Sequence, residues 1–594
     1  MKDLEKPVSK AAPNDMGWAS DVAAEMLRRL NIKYVSLNPG ASYRGFHDSL
    51  VNYLGNGSPQ MLLCLHEDHV VSIAHGYAKV TDEPMACVLH SNVGLMHGLM
   101  GIFNAWCDRM PILTLGATGP VAADKRRPWI DWIHTAKDQG ALLRDYTKWD
   151  DEPRSPEAIV EGMMKAYQMT TTLPYGPVYV CLDAGLQETK LDRSVHIPDL
   201  TRFRVAEAPS ASEAQVAALA DLIAAAKKPL FLFGRGNRKQ DAWDRRVALV
   251  EHTGAAALTS IRERSVFPTD HPQHILPPSY WLSPKAKEVV KDSDLIVSFD
   301  WVDLNGLFLQ ISKKTSETAA KVAHVSLDHA LHNGWSMDYF SLPPTDLPIA
   351  ADPDTLIAQL LPAVQKRFAK RPASRSTGKS TLAPAEYSAK SATEIMPRDI
   401  EVALQKIRGS RKFSMAHATI GWAGDVYAFR DPLDFLGHDG GAGLAAGPGI
   451  TVGVSLAVKD IDKSRPVVSV LGDGDFMQGV SALWTAAHYS LPALYIVSNN
   501  RSNFNDELHQ EAVAKIRSRP VENRWIGQRI DNPQLDFAGL ARAQGVEAEG
   551  PVKNVPDLEA AILRGLKVVE QGRPYLIDAH VVPGYATPPL ARGE

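Results

Sequence analysis

One short segment constrains the fold of this chain more than any other. An apolar run over residues 467–471 ends in Gly472-Asp473-Gly474, a helical pattern covers residues 480–489, and a second apolar run over residues 493–497 precedes Asn500. This order predicts a strand–helix–strand unit of a parallel α/β sheet. Aspartate and asparagine then follow the carboxyl ends of two strands, where ligands bind in such sheets. Their side chains offer the hard oxygen donors that Mg²⁺ prefers beside phosphate groups.

This arrangement resembles the signature of thiamine diphosphate (ThDP) enzymes, in which two asparagines follow Gly-Asp-Gly by roughly two dozen residues. The resemblance implies that Asp473, Asn500 and the backbone carbonyl of Ser502 hold Mg²⁺. It also implies that Gly474 and Asp475 help to bind the cofactor. Without the resemblance, the same residues are compatible with a tight turn and an ordinary polar loop.

A second motif lies nearer the N-terminus. An apolar run over residues 61–65 precedes His66-Glu67, and residues 74–78 read Ala-His-Gly-Tyr-Ala. This pattern is similar to the glutamate motif of ThDP enzymes, whose carboxylate protonates the aminopyrimidine ring of the cofactor. The resemblance implies that Glu67 is catalytic and contacts ThDP. From the residues alone, Glu67 is also an acid at a helix N-terminus, where the helix dipole stabilises it.

Composition shifts divide the chain into three blocks that alternate apolar strands with helical patterns, which predicts three doubly wound parallel α/β sheets. Three such blocks in this order resemble the acetolactate synthase and benzoylformate decarboxylase group of ThDP enzymes. We therefore expect a flexible N-terminus (1–15), a pyrimidine-binding domain (16–185), a middle domain (205–368), a polar linker (369–393) and a domain that binds diphosphate and Mg²⁺ (394–594).

The composition is that of a large globular protein, with 594 residues, 45% hydrophobic and 22% charged, and a net charge of −4. A charge so close to neutral indicates neither a nucleic acid nor a membrane surface as partner. No apolar run is long enough for a membrane span, and the N-terminus lacks the apolar core of a signal peptide. Four cysteines lie scattered without metal-site spacing, so we expect buried thiols and a cytoplasmic location.

Residues around His90 indicate the type of reaction. His90-Ser91 with Gly94 resembles a segment of benzoylformate decarboxylases whose histidine is catalytic, whereas acetolactate synthases carry Ser-Gly-Pro-Gly there. A histidine titrates near neutral pH and suits proton transfer, although a structural histidine at a strand end is the alternative. By the same resemblance, Leu444 holds ThDP bent and Thr419 contacts its diphosphate; a core leucine is the alternative for Leu444.

The chain also departs from the benzoylformate decarboxylases. Ala41 stands where they place a substrate-binding serine, and Ser42 would replace it only if the loop shifts. Their second active-site histidine has no clear counterpart here. Residues 509–531 are longer than in those enzymes, so we expect a lid or pocket wall and a different substrate. The aromatic residues of segment 125–134 line a substrate site or pack a domain contact.

Together these patterns predict ThDP- and Mg²⁺-dependent, non-oxidative decarboxylation of a small-molecule 2-oxo acid, with carboligation as an additional activity. An acetolactate synthase-type carboligase, a lyase of 2-hydroxy ketones or 2-hydroxyacyl thioesters, and a non-catalytic relative are the alternatives. Gly234-x-Gly236 follows a strand but lacks a third glycine, so FAD is not expected and a structural turn is favoured. In the group, active sites lie between subunits, which implies a homodimer or a homotetramer.

Overall fold

The computed structural model describes residues 5–9, 15–312, 317–328, 342–368 and 393–584. These residues form three α/β units, each built on one parallel sheet with helices packed against it. The predicted fold class is thereby confirmed. Most of the predicted N-terminal segment 1–15 and nearly all of the predicted linker 369–393 lie outside the described residues.

The first unit has the sheet order β2-β1-β3-β4-β6-β5, and every neighbouring pair is parallel. Its strands are β1 (Tyr34–Leu37), β2 (Gln60–Leu63), β3 (Met85–Leu89), β4 (Ile112–Thr118), β5 (Asp150–Asp151) and β6 (Val178–Asp183). Its helices are α1 (Ala19–Arg29), α2 (Arg44–Asp48), α3 (Glu67–Thr81), α4 (Ser91–Cys107), α5 (Pro156–Thr171) and α6 (Ala184–Gln187). The central strands β3 and β4 are buried along their whole length, as expected when helices cover both faces of a sheet.

The middle unit has the sheet order β11-β10-β9-β7-β8, again parallel throughout. Its strands are β7 (Pro229–Phe233), β8 (Ala256–Thr259), β9 (Leu295–Phe299), β10 (Lys321–Val325) and β11 (Leu347–Ile349). Its helices are α7 (Glu213–Ala225), α8 (Gln240–Thr253), α9 (Pro284–Asp292), α10 (Leu304–Ser312) and α11 (Pro353–Arg367). A Cβ atom on Gly234 would lie 2.5 Å from the carbonyl carbon of Asp300, so close backbone packing accounts for this glycine.

The third unit has the sheet order β12-β13-β14-β16-β15 and is also parallel. Its strands are β12 (Ser414–His417), β13 (Val467–Gly472), β14 (Leu494–Asn499), β15 (Glu547–Val552) and β16 (Tyr575–His580). Its helices are α12 (Pro397–Arg408), α13 (Ala446–Ile461), α14 (Asp473–Gly479), α15 (Ala482–His488), α16 (Phe504–Ile516), α17 (Phe537–Ala543) and α18 (Val555–Glu570).

The Gly-Asp-Gly motif differs in one respect from its predicted form. Helix α14 begins at Asp473, directly after β13, so the motif is the start of a helix rather than a separate turn. The two aspartates in its first turn, Asp473 and Asp475, explain this start, because carboxylates stabilise the free N–H groups and positive dipole end of a helix. The predicted helix over residues 480–489 is α15, which is shorter at both ends.

Helices α3 and α13 join the first unit to the third through glycines. A Cβ atom on Gly76 would lie 2.9 Å from the carbonyl carbon of Ile450, and one on Gly453 would lie 2.8 Å from the backbone nitrogen of Tyr77. At the other end of the contact, Gly449 faces Ser72. The helices therefore run in the same direction with their backbones in contact. Their N-terminal ends meet at one end of the pair. Helix α3 begins there at Glu67, and α13 begins two residues after Leu444.

Two further expectations concern the chain as a whole. The four cysteines, Cys64, Cys87, Cys107 and Cys181, are all free and buried. Among the described helices, none combines the length and apolar character that a membrane span needs.

Candidate active site

The candidate metal ligands lie together at the carboxyl edge of the third sheet. Asp473 follows β13, and Asn500 follows the neighbouring strand β14. The Asp473 carboxylate is almost fully buried and accepts hydrogen bonds from the N–H groups of Gly474, at 2.9 Å, and of Arg501. The side-chain oxygen of Asn500 accepts a hydrogen bond from the N–H of Ser502 at 2.9 Å. The local backbone thus brings two side-chain oxygens and Ser502 into one turn.

The burial of Asp473 favours a bound cation. Burial raises the pKa of this carboxyl group to about 6, although backbone N–H groups, that of Gly474 foremost, stabilise the carboxylate. A buried carboxylate is costly unless a positive charge balances it. The donors of this turn are oxygens, which is the chemistry that Mg²⁺ prefers, and phosphate oxygens usually complete its shell. The turn therefore fits a Mg²⁺ ion that bridges to a phosphate group.

The segment after this turn leaves the sheet and returns to it. Residues 504–527, which we name the 504–527 excursion, begin with α16. Backbone hydrogen bonds between residues 501–503 and residues 528–530 join its two ends. Glu507 on α16 is buried, and its carboxylate accepts a 2.5 Å hydrogen bond from the Ser502 hydroxyl. One buried side chain thus couples the predicted lid or pocket wall to the candidate metal turn, a connection that sequence spacing does not reveal.

Glu67 occupies the first position of α3. The His66 ring caps this helix by accepting the N–H of Asp68 at 3.1 Å. The Glu67 side chain is mostly buried, and its Oε2 lies 3.0 Å from His97 Nδ1. Burial alone would raise the pKa of Glu67, but hydrogen bonds from His97, from its own N–H and from Asn38 lower it. The structure therefore presents an ionised carboxylate at this helix end.

His90 lies between β3 and α4, at the carboxyl edge of the first sheet. Its Nδ1 lies 2.8 Å from the Ser42 hydroxyl, which also accepts the N–H of Ser91 at 3.1 Å. A Cβ atom on Gly40 would lie 2.6 Å from His90 Nδ1, so this glycine leaves room for the ring. Ser42 thus contacts the candidate catalytic histidine. Sequence analysis considered it as a substitute for the missing serine only if the loop shifts.

A second histidine that sequence analysis missed lies beside His90. The His134 ring packs edge-on against His90, with ring centroids 4.7 Å apart. The carbonyl of Ile133 accepts a hydrogen bond from the Asn92 side chain at 3.1 Å, which ties this segment to the start of α4. Burial lowers the pKa of His90, and the neighbouring His134 lowers it further. The available signal was the position of segment 125–134 after β4, whose end lies at the same sheet edge as His90.

The aromatic residues of segment 125–134 are not packed inside this chain. Trp129 and Trp132 are 75% and 77% exposed, so a domain contact within one chain does not explain them. The other interpretation, that they line a substrate site, stays a prediction.

Thr419, Leu444 and Asp475 lie around α13 and β12. Thr419 is half-buried in the turn after β12. Leu444 is 50% exposed, which excludes the core leucine considered as its alternative. The next residue, Ala445, has a φ of 84°, and its N–H donates to Asp475 Oδ1 at 2.8 Å. The Asp475 side chain thus holds the backbone beside Leu444 instead of pointing toward the Asp473 turn.

The site residues form two clusters. Glu67 and His90 lie in the first unit, where Ser42, His97 and His134 contact them. A second cluster consists of Asp473, Gly474, Asn500 and Ser502 in the third unit, and the hydrogen bond from Ala445 to Asp475 links the segment of Leu444 to the same helix α14. A ligand that uses both clusters therefore needs a basic, hydrogen-bonding end for Glu67 and a phosphate-bearing end for the Asp473 turn.

Comparison with known proteins identifies such a ligand. Residues 18–142, 216–360 and 418–579 match the models for the N-terminal, central and C-terminal domains of thiamine pyrophosphate enzymes. The chain is 25% identical to the acetolactate synthase large subunit of Corynebacterium glutamicum, over 82% of this chain and 76% of that protein. It is 24% identical to benzoylformate decarboxylase of Pseudomonas aeruginosa, over 93% and 97%. The benzoylformate decarboxylase structure from Polynucleobacter necessarius has a TM-score of 0.79 at 20% identity, and the match covers 97% of this chain and 100% of that one.

Proposed function

Since this chain belongs to the thiamine pyrophosphate (thiamine diphosphate) enzyme family, we propose that it decarboxylates a small 2-oxo acid without oxidation, using ThDP and Mg²⁺. The observation that carries this proposal is the pair of histidines at the carboxyl edge of the first sheet. His90 is oriented by Ser42 and packs against His134. Decarboxylation to an aldehyde requires a proton donor near the reacting carbon, and imidazole groups suit that task near neutral pH.

The proposed cofactor contacts follow from the two clusters. Asp473, Asn500 and Ser502 would hold Mg²⁺, and Gly474 and Thr419 would help to bind the diphosphate, whereas Asp475 would act only through the backbone that it holds beside Leu444. Leu444, half exposed beside this cluster, would support the cofactor from its apolar side. When bound, ThDP supplies a carbon nucleophile that stabilises the negative charge left after CO₂ departs. The remaining chemistry, binding and proton transfer, belongs to side chains of the protein.

Glu67 and the two histidines would divide the proton transfers. Hydrogen bonds keep Glu67 ionised and mostly buried, so it can hold a proton at the pyrimidine ring nitrogen of the cofactor. Burial and the charge of His134 lower the pKa of His90, so its imidazole, once protonated, readily gives its proton to the reacting carbon. His134 lies in ring contact with His90 and can exchange that proton with it or with solvent.

A carboligase is the second candidate. The likeness to an acetolactate synthase large subunit supports it. Both reactions begin with decarboxylation, and they differ in whether the resulting carbanion is protonated or attacks a second carbonyl group. A lyase of 2-hydroxy ketones or 2-hydroxyacyl thioesters uses the same proton transfers and is the third.

We also propose that the active site forms between two copies of the chain, in a homodimer or a homotetramer. His97, which contacts Glu67, has a side chain that is 60% exposed in the single chain, and Leu444 is 50% exposed. A partner copy would cover both groups and bring the phosphate-binding cluster of one chain to the Glu67 cluster of the other. The buried, free cysteines accord with a cytoplasmic, reducing location.

A substrate screen tests the reaction. The purified protein with ThDP and Mg²⁺ is given aryl, branched and short-chain 2-oxo acids, and both CO₂ and organic products are identified. Aldehyde from an aryl or branched acid supports the decarboxylase, and acetolactate from pyruvate supports the carboligase. No CO₂ from any acid, with ThDP bound, would contradict both.

Two variants test the residue roles in the same assay. Glu67→Gln should retain ThDP binding and lose most turnover, whereas Glu83→Gln, which changes an exposed glutamate just after α3, should behave like the wild type. His134→Ala should lower turnover by at least tenfold and change its pH profile, and His196→Ala is the control at an exposed histidine. Unchanged turnover in Glu67→Gln would remove Glu67 from its role.

A further inference from the structure

We propose that His417, His438 and Asp439 bind a divalent transition metal ion of the zinc class, at a site separate from the candidate Mg²⁺ ligands. One donor atom of each residue lies within 4.8 Å of the donors of the other two. His417 ends β12, and the other two residues lie in the segment that leads to Leu444. Imidazole and carboxylate together are donors that Zn²⁺ takes in proteins. This site goes beyond the proposed reaction and does not depend on it.

Each imidazole ring turns one nitrogen toward a carboxylate. His417 Nδ1 lies 3.1 Å from the carbonyl oxygen of Val470 and donates its hydrogen to it, so Nε2 is the nitrogen that a metal ion would use. That Nε2 lies 3.9 Å from Asp439 Oδ2, and His438 Nδ1 lies 3.9 Å from Asp439 Oδ1. Metal–donor bonds of about 2.1 Å allow donor separations of roughly 3.0 to 4.2 Å. The two separations from Asp439 fall within this range, and all three donors lie within 4.8 Å of one another, so small side-chain shifts would bring them onto one ion.

A second carboxylate points to the same place. Asp475 is buried, and Ala445 engages its Oδ1. Its Oδ2 is fully buried, has no hydrogen-bond partner among the described residues, and lies 3.9 Å from His417 Nε2. A buried carboxylate oxygen without a partner is costly, and a metal ion shared with His417 would remove this cost. Asp475 therefore adds a buried negative charge beside His417, while the donor set itself consists of His417, His438 and Asp439.

Three buried carboxylates lie close together around these residues. Asp439, Asp475 and Asp68 are all buried, and Asp68 interacts electrostatically with the other two. The nearby ammonium of Lys79 is already bonded to another carboxylate and to the carbonyl oxygen of His438. A divalent cation would offset the remaining negative charge, which buried carboxylates otherwise carry at considerable cost.

The position of His438 gives the ion a structural role. Lys79 of the first unit bonds its carbonyl oxygen, and the carbonyl oxygen of Arg262, in the middle unit, accepts its N–H at 3.0 Å. Its ring packs edge-on against Tyr280 of the middle unit, with ring centroids 4.8 Å apart. All three units therefore meet at this residue. An ion bound there would fix the segment before Leu444 against both neighbouring units and raise the thermal midpoint of unfolding.

Metal analysis of the protein without ThDP tests the proposal. The chain is stripped with a chelator, loaded with Zn²⁺ or Co²⁺, desalted and measured by elemental analysis and visible absorption. We expect one retained zinc ion per chain, a higher thermal midpoint with zinc, and visible absorption bands in the cobalt form. His438→Ala and His438→Gln should lose the ion and the bands. Asp473→Ala should keep them, because the candidate Mg²⁺ turn is a different site.

A matched variant excludes the other three-donor cluster of the described residues, His66, Glu67 and His97. His97→Ala removes one histidine from that cluster, as His438→Ala does from the proposed site, and it should retain the zinc ion. Loss of the ion in His97→Ala with retention in His438→Ala would overturn the proposal. If the His438 variants fail to fold, the wild type decides: no retained zinc and no change in thermal midpoint would equally overturn it. Because ThDP and substrate are absent, failure here is distinguishable from failure of the proposed reaction.

Discussion

A buried glutamate in the third unit gives a quantitative test of how the cofactor-side loop is supported. Glu401 on α12 is 1% exposed, and one carboxyl oxygen accepts a 2.8 Å hydrogen bond from the N–H of Ala423, in the segment that follows Thr419. Burial raises the pKa of Glu401 from 4.5 to about 8; the charge of Asp425 adds to this, and the Ala423 hydrogen bond opposes it. At pH values between these two, the folded chain therefore keeps the Glu401 proton that the unfolded chain has released.

The sign and size of the effect follow from proton linkage. Between pH 4.5 and about 8 the folded state binds more protons at Glu401 than the unfolded state, so the free energy of unfolding falls as pH rises. One pKa unit corresponds to about 1.4 kcal/mol. Summed over the titration, Glu401 lowers the free energy of unfolding by roughly 3 to 4 kcal/mol between pH 5 and pH 8. Glu401→Gln retains the acceptor for Ala423 but cannot ionise, so it should remove this loss.

The assay is calorimetric and denaturant-induced unfolding of wild type and Glu401→Gln at several pH values from 5 to 8. The variant should gain stability relative to the wild type as pH rises, by roughly 3 to 4 kcal/mol at the upper end. Glu213→Gln, at an exposed glutamate that begins α7, is the control and should follow the wild type. Identical pH dependence in wild type and Glu401→Gln would refute the reasoning.

Three further predictions concern the candidate site and the helices behind it. Asp473→Ala should abolish Mg²⁺-dependent ThDP binding in calorimetric titration, because it removes a buried ligand oxygen; normal binding would contradict the assignment. Glu507→Gln should weaken that binding about tenfold, since a charged hydrogen bond to Ser502 becomes a neutral one; an unchanged affinity would count against coupling to the excursion. Gly76→Ala should lower the thermal midpoint, because its Cβ would lie 2.9 Å from the carbonyl carbon of Ile450. Gly57→Ala, where the nearest atom is 3.7 Å away, is the control, and equal midpoints for both variants would disprove tight packing of α3 on α13.

Local patterns in the sequence predict much of this fold. The apolar runs at residues 85–89 and 229–233 coincide with β3 and β7, because strands covered on both faces are continuously apolar. The same reasoning places Asp473 and Asn500 at neighbouring strand ends. The start of α14 at Asp473 differs from the expected turn, since the effect of two aspartates on a helix start is stronger than the flexibility of Gly474.

Contacts between distant segments are what the sequence does not reveal. Ser42 and His134 reach His90 from loops after two different strands, and their spacing along the chain carries no sign of it. The residues next to Glu507 in the sequence are polar, which is typical of an exposed helix. Its side chain is nevertheless buried and accepts the Ser502 hydroxyl. The exposure of Leu444 likewise depends on how the backbone turns at Ala445. Each of these is set by tertiary packing rather than by local preference.

The closed base of the 504–527 excursion has a consequence for how relatives of this protein diversify. Its two ends, residues 501–503 and 528–530, are joined by main-chain hydrogen bonds, which do not depend on particular side chains. A longer or shorter insert can therefore replace residues of the excursion while residues 501–503 and 528–530 stay hydrogen-bonded to each other. Such an exchange would leave the candidate metal turn in place only if the new insert kept Glu507, whose carboxylate accepts the Ser502 hydroxyl.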